Sequence, residues 1–457
     1  MNDLWKLDAT AQAARVRGGE VTSGELVQAA LARIEALNPK LGAVVGLDPS
    51  RTGHASEGRF AGVPFLTKDL LAQPGLRCAF GSRLFASFVP PEASPYAAAI
   101  DASGLVTIGK TTSSEFGLLG STETLLDGPT HNPWDLQRSA CGSSGGAAAA
   151  VAAGLVPMAH ASDGGGSIRL PAAMQGLFGF KPSRGRCLPS MLPSDLPALV
   201  IEHCVSRSVR DSAGLLAETE DPQTPLGRIG FVGPASCGPL RIGAYTTSLL
   251  GRPATDDGRA AVEHAMAICE ALGHRVEQVE PPPVVGKEMS EAFFAVAAEG
   301  IERITAMVAG MRGMPVTESE LEPFTWSLLQ WYRALPSGAL DRARVAIEAA
   351  TEAMTAYLAQ RDITLCPTAG VDTPRLGWLA PTLPRAEIIA RTEQLAGYTP
   401  AHNMVGAPAM SVPLHVSKAG LPVGCHFAAP LGHDARLLEL AYQLEEAAPW
   451  ADRWPAI

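Results

Sequence analysis

Two glycine- and serine-rich loops bracket an alanine-rich helical run, and no other stretch limits the fold of this chain as tightly. The first loop reads Ser139-Ala140-Cys141-Gly142-Ser143-Ser144-Gly145-Gly146; the second, starting at Ser162, reads Ser-Asp-Gly-Gly-Gly-Ser-Ile-Arg-Leu-Pro. Ser143 and Ser167 stand 24 residues apart. A run of glycines lets backbone N–H groups converge on one point without interference from Cβ atoms. Acyl transfer needs such donors where an oxyanion develops, so Ser167, after three glycines, is the candidate nucleophile. Loops of the first kind often bind anions at a helix N-terminus, but the Gly-x-x-x-x-Gly-Lys-Ser/Thr pattern of a phosphate loop is missing. Neither loop has a histidine or an acid at the spacing of a Ser-His-Asp hydrolase. A candidate base lies upstream in Gly62-Val63-Pro64-Phe65-Leu66-Thr67-Lys68-Asp69, a buried-strand pattern ending on Lys68. A lysine is a base only when neutral, and burial favours its neutral form. Two serines and one lysine suggest a Ser-Ser-Lys hydrolase acting on C–N bonds.

The rest of the chain reads as alternating strands and helices. Thr22-Ser23-Gly24-Glu25 forms a capping box, followed by apolar residues at helical spacing up to Asn38-Pro39, which should end the helix. Tyr96 to Ala102 reads as a short helix closed by Gly104, with a buried strand over Leu105 to Ile108. A strand at Arg241–Tyr245, a helix at Asp257–Leu272 stopped by Gly273 and a strand at Val276–Val279 repeat the pattern. This order favours a largely parallel sheet covered by helices. After Pro281-Pro282-Pro283, residues 287–360 are mostly helical. Strand patterns return at 363–366, 410–414 and 423–428, and a last helix spans 435–447.

The bulk properties exclude several classes. The net charge is −10 over 457 residues with no basic block, which argues against nucleic-acid and anionic-membrane partners. Eight cysteines form no Cys-x-x-Cys pair, so zinc and dithiol chemistry are not expected, and they read as small apolar residues in a reducing cytoplasm. The start, Met1 to Lys6, lacks a signal-peptide pattern. The longest apolar run, Ala147 to Ala159, is too short to span a bilayer.

Together, in this order, the segments resemble the amidase signature family. The match extends from Leu4-Trp5-Lys6-Leu7-Asp8-Ala9-Thr10 through Lys68-Asp69, Gly128-Pro129-Thr130-His131-Asn132-Pro133-Trp134-Asp135 and the block from Gly142 to Pro182, to Gly420-Leu421-Pro422-Val423-Gly424. The resemblance implies an α/β amidase signature fold: a mixed, largely parallel β-sheet core covered by helices on both faces. It implies a single domain over 1–457, a catalytic core at 60–215 and a variable, mostly helical pocket region at 285–400. The family's nucleophile maps onto Ser167, its bridging serine onto Ser143 and its base onto Lys68. The backbone N–H groups of Gly164, Gly165, Gly166 and Ser167 would form the oxyanion hole, and the Gly142–Ser143 peptide would be cis. Asp163 and Arg169 are expected to brace the glycine turn as a charge-assisted pair. Ser144 and Cys141 are expected beside the reacting serines. No metal or cofactor is implied. His160 is expected to pack on a buried strand and His131 to belong to the Asn-Pro loop.

Two residues depart from the family pattern. Gly164 stands where the family has threonine, and Cys141 stands where it has glycine. The resemblance leaves the substrate open among small amides, carbamates and esters. Phe293, Phe294, Phe324, Trp326, Trp331, Tyr332 and Trp378 are candidates for an apolar pocket favouring aryl or alkyl groups. The alternatives are the glutaminase subunit of a tRNA-dependent amidotransferase and a non-catalytic scaffold on the same fold. A homodimer is common among relatives.

Overall fold

The computed structural model describes residues 3–51, 57–190 and 199–457; Met1 and Asn2, part of the stretch read for a leader, lie outside them. The described strands are β1 (Val44–Val45), β2 (Pro64–Lys68), β3 (Val106–Thr111), β4 (Glu123–Thr124), β5 (Gly128–Pro129), β6 (His131–Asn132), β7 (Asp135–Ser139), β8 (Met158–Asp163), β9 (Phe178–Lys181), β10 (Ile201–Ser206), β11 (Arg241–Ala244), β12 (Arg275–Gln278), β13 (Ile363–Pro367), β14 (Ala409–Val416) and β15 (Pro422–Ala428). Eleven of them form one sheet in the order β1-β3-β2-β8-β10-β9-β14-β15-β13-β11-β12, while β4-β5 and β6-β7 are separate two-stranded ribbons. Every residue of β2, β3, β8, β10 and β13 is buried. That is the pattern of strands covered on both faces.

The sheet is mixed, as expected, but not largely parallel. Parallel ladders join β2 to β3 and β8, and β11 to β12 and β13. The central run from β8 through β10, β9, β14 and β15 to β13 is antiparallel. The strand–helix–strand unit over 241–279 does make its parallel pair, through the helix Asp256–Ala271. The tight turn between β14 and β15 cannot, because parallel strands need a crossover of a dozen or more residues.

Local rules hold at some helix ends. Thr22 and Glu25 form the reciprocal capping box, with Thr22 N–H donating to Glu25 at 2.8 Å and Glu25 N–H to Thr22 Oγ1 at 3.2 Å. Gly273 takes φ +87° past the end of its helix. The expected stop at Asn38-Pro39 is overturned, since that helix runs over Ser23–Leu41 with Pro39 inside it. Asn38 delays the exit: its carboxamide oxygen accepts from Ala43 and Val44 N–H, and the turn is completed at Gly42 with φ +59°. Residues 287–360 are helical as read, in Gly286–Arg312, Pro323–Arg333 and Ala339–Leu358. Among the described residues no helix is long and apolar enough to cross a membrane.

Candidate active site

Lys68 ends β2, flanked by β3 and β8, and is completely buried. Its Nζ lies 2.7 Å from Ser143 Oγ, 2.8 Å from Ser144 Oγ and 3.1 Å from Ser162 Oγ. Three oxygen neighbours match the three donors of an ammonium; as a neutral amine Lys68 keeps two donors and one lone pair. Loss of hydration lowers its pKa from 10.5 to about 7, against the opposing pull of Glu202 and Asp163. Lys68 can therefore exchange a proton near neutral pH.

Ser143 and Ser144 are presented by the loop into the helix Gly145–Ala152, whose residues are all buried. The glycines here are required by contact. A Cβ on Gly146 would lie 2.3 Å from Thr112 Oγ1, and one on Gly142 2.5 Å from Ser121 O. The Gly142–Ser143 peptide is cis. Cys141 sits at φ +62°, a region that favours glycine, which explains the family's usual residue there. Its thiol donates to Gly120 O at 3.2 Å and it packs with Leu119, Leu170 and Met174. Cys141 is thus a packed, closed-off residue.

Asp163 organises the glycine turn. Its carboxylate accepts from the N–H groups of Gly166 (2.7 Å), Ile168 (3.1 Å) and Arg169 (3.4 Å). Arg169 closes on it with two side-chain bonds of 2.8 Å, and both side chains are fully buried. The guanidinium holds the Asp163 carboxyl well below the usual carboxylate range, overcoming its burial. Of the four N–H groups expected as oxyanion donors, that of Gly166 is thus already engaged. Those of Gly164, Gly165 and Ser167 make no hydrogen bond within the described residues. Ser167 is half-buried, and its hydroxyl makes no hydrogen bond to a described residue.

Sequence reasoning assigns no role to five supporting residues. Thr399 Oγ1 donates to Gly165 O at 2.6 Å, and Asn403 Nδ2 donates to Asp163 O at 2.8 Å and to its carboxylate at 2.9 Å. Arg169 also donates to Thr399 O, Asn403 Oδ1 and His426 Nε2. These partners lie more than 230 residues from the turn, with no local signal. Ser162 was within view, one residue before Asp163. His160 is buried on β8 as read, yet it has an acid that the sequence did not reveal: its Nε2 lies 2.8 Å from Glu202 Oε2. His131 holds Leu136 O from the β6-β7 ribbon, as expected of a loop residue.

Above the turn, the Phe293 ring lies 3.2 Å from where a Gly165 Cβ would be, and Val200 3.2 Å from that of Gly164. Phe294 and Phe324 are buried, and Phe293, Trp331, Tyr332 and Trp378 are partly buried against the same cluster as Cys141, Leu170 and Met174. Trp326 is partly buried against a different cluster, that of Ile301, Leu321 and Leu329.

Fold and site together define a hydrolase of carbon–nitrogen bonds other than peptide bonds. The Amidase family model matches residues 25–438, and the chain belongs to that family, the amidase signature enzymes. It is 36% identical over 461 residues to the "Putative amidase AmiC" of Mycobacterium tuberculosis, covering 98% of this chain and 96% of that one. It is 33% identical to the 6-aminohexanoate-cyclic-dimer hydrolase of Paenarthrobacter ureafaciens, covering 100% of this chain and 97% of that protein. The solved structure of a 6-aminohexanoate cyclic dimer hydrolase with its substrate superposes with a TM-score of 0.93 at 30% identity, over 99% of both chains. A bacterial aryl acylamidase superposes with a TM-score of 0.87 at 25% identity, over 98% of both.

Proposed function

We propose that this chain hydrolyses small, largely apolar amides, and related carbamates and esters, through an acyl-enzyme on Ser167. The observation that carries this is the fully buried Lys68 Nζ on Ser143 Oγ at 2.7 Å. Neutral Lys68 takes the proton of Ser143 as Ser143 takes that of Ser167. The Ser167 oxygen bonds to the substrate carbonyl carbon, and the oxyanion meets the unengaged N–H groups of the glycine turn. The relay then returns the proton to the leaving nitrogen as the C–N bond breaks, since an amide anion is a very poor leaving group. Water attacks the acyl-enzyme by the same route, releasing the acid and restoring the Ser167 hydroxyl.

The half-buried Phe293 beside Gly165 and the aromatic cluster behind it support an apolar acyl or aryl group. They offer little to a charged amino-acid amide. The continuous eleven-stranded sheet with β1 and β12 at its edges supports one catalytic unit over 1–457. Eight unpaired cysteines support a reducing compartment, hence the cytoplasm. The test is turnover of an aryl acetamide, an aryl carbamate and a p-nitrophenyl ester by the wild type, Ser167→Ala and Lys68→Ala. Loss of amide or carbamate turnover in both variants is expected. Full activity of Ser167→Ala would sink the assignment.

A further inference from the structure

Behind Lys68 lies a second buried pair that the relay does not use. The backbone N–H of Lys68 donates to His160 Nδ1 at 3.2 Å, so Nδ1 is the bare nitrogen and the ring proton sits on Nε2. Nε2–H points at Glu202 Oε2, 2.8 Å away, and Ser190 donates to Glu202 Oε1. Burial keeps the imidazole neutral by pushing its pKa below the ordinary value. Glu202 is also the register partner of Ser162 across β8 and β10, and Ser162 Oγ touches Lys68 Nζ at 3.1 Å. Opposed residues of an antiparallel pair sit about 5 Å apart, so the carboxylate lies one side-chain layer from the amine.

The other charges facing Lys68 are committed. On β8, Asp163 is neutralised by Arg169. After β2, Asp69 pairs with Arg77. From β3, Lys110 Nζ donates to Leu71 O and lies 3.5 Å from Lys68 O. The positive N-terminal end of the helix Gly145–Ala152 faces the serines. Tyr96 packs on the far side of His160 with ring centroids 5.6 Å apart. Among the described residues Glu202 is the one carboxylate here held only by a neutral imidazole and a hydroxyl.

We propose that Glu202, held in place by His160, is a positioning residue for catalysis, whose fixed negative charge sets the pH at which Lys68 gives up its proton. This rests on the reading of Lys68 as base. Without Glu202, burial would be opposed only by the weaker pull of Asp163, and Lys68 would move further toward the neutral, less basic form. Glu202 therefore preserves proton affinity in a lysine that must take a proton and later return it.

The test is the rate at which a fluorophosphonate labels Ser167 as a function of pH, which needs no identified substrate. Glu202→Gln keeps an acceptor for the imidazole and removes the charge. Its acid limb should fall by about one pH unit, the effect of a nearby opposite charge. One unit below the wild-type midpoint it should then label about five-fold faster relative to its own plateau. His160→Gln keeps an acceptor for Lys68 N–H and a donor for Glu202, and its limb should stay with the wild type. A folded Glu202→Gln with an unmoved limb overturns the inference. So does a limb that disappears in His160→Gln, because the titrating group would then be the imidazole. If the wild type is not labelled, or Lys68→Ala shows the same profile, the amidase relay itself fails and not merely this refinement.

Discussion

Replacing Lys68 by methionine should abolish turnover and, at the same time, change stability in a direction that reverses with pH. Lys68 is completely buried and its pKa falls from 10.5 unfolded to about 7 folded. Between these values the unfolded chain holds a proton that the folded chain lacks, so stability rises with pH across that window. Below pH 7 the penalty is fully present, with a ceiling of about 5 kcal/mol at about 1.4 kcal/mol per unit. By pH 10 only about 1 kcal/mol of it remains. Methionine removes the penalty but takes a donor from Ser143, Ser144 and Ser162, at about 1 kcal/mol each. The variant should therefore be about 2 kcal/mol more stable than the wild type at pH 6 and about 2 kcal/mol less stable at pH 10. In a chain of 457 residues each kcal/mol moves Tm by roughly 1 °C. Thermal unfolding of both proteins in matched buffers at pH 6, 8 and 10 reads this directly. A Tm difference of constant sign and size across the three would refute a lysine forced neutral by burial.

The same titration predicts that kcat/KM for an aryl amide at pH 6 is about a tenth of its alkaline plateau, following the neutral fraction of Lys68; a flat profile from pH 6 to 9 would exclude Lys68 as the base. Asp163→Asn leaves Arg169 buried without its counter-charge and should cost about 3–5 kcal/mol, read as a drop in Tm, with kcat falling as the turn loosens. Gly166→Ala should be inactive and destabilised, because Gly166 holds φ +135° and a Cβ there would lie 2.4 Å from Thr399 Oγ1. Gly164→Thr should fold and stay active, since Gly164 has an ordinary φ and its Cβ would meet only the Val200 side chain at 3.2 Å. Phe293→Ala should raise KM for an aryl amide several-fold while leaving kcat nearly unchanged, and equal kinetics on aryl and small aliphatic amides would remove Phe293 from the pocket.

The candidate site is legible in the sequence because local chemistry constrains it. A turn whose backbone crowds one point favours glycine, so the run Gly164-Gly165-Gly166 before Ser167 is visible without a structure. The pairing of Asp163 with Arg169 is implied by the family resemblance, and the two side chains do pair in the structure. Lys68 was visible as the polar end of an apolar strand. The sheet's central polarity was misread because the strand–helix–strand unit at 241–279 was taken to represent the whole. Direction is set by how long each connection is and where it returns, and neither follows from strand patterns. Pro39 misled in the same way: Asn38 caps the helix exit from within, and a side chain's partners are not written in its neighbours.

The candidate serines, lysine and glycine turn can be picked out from the sequence alone, because each shows in a pattern of a few neighbouring residues. Only the tertiary structure decided what makes them act. Burial between strands on both sides lowers the pKa of a strand-end lysine to about 7, as the proposed role of base requires. The Asp163 carboxylate takes up one of the four expected oxyanion donors and leaves the others open. Thr399 and Asn403, at the short helix Pro400–Met404, and His426 on β15 hold the turn from 230 to 257 residues away from Arg169 or Gly165. Glu202, His160 and Lys68 meet because β2, β8 and β10 are neighbours, and electrostatic environment depends on distance in space, which the order of residues does not encode.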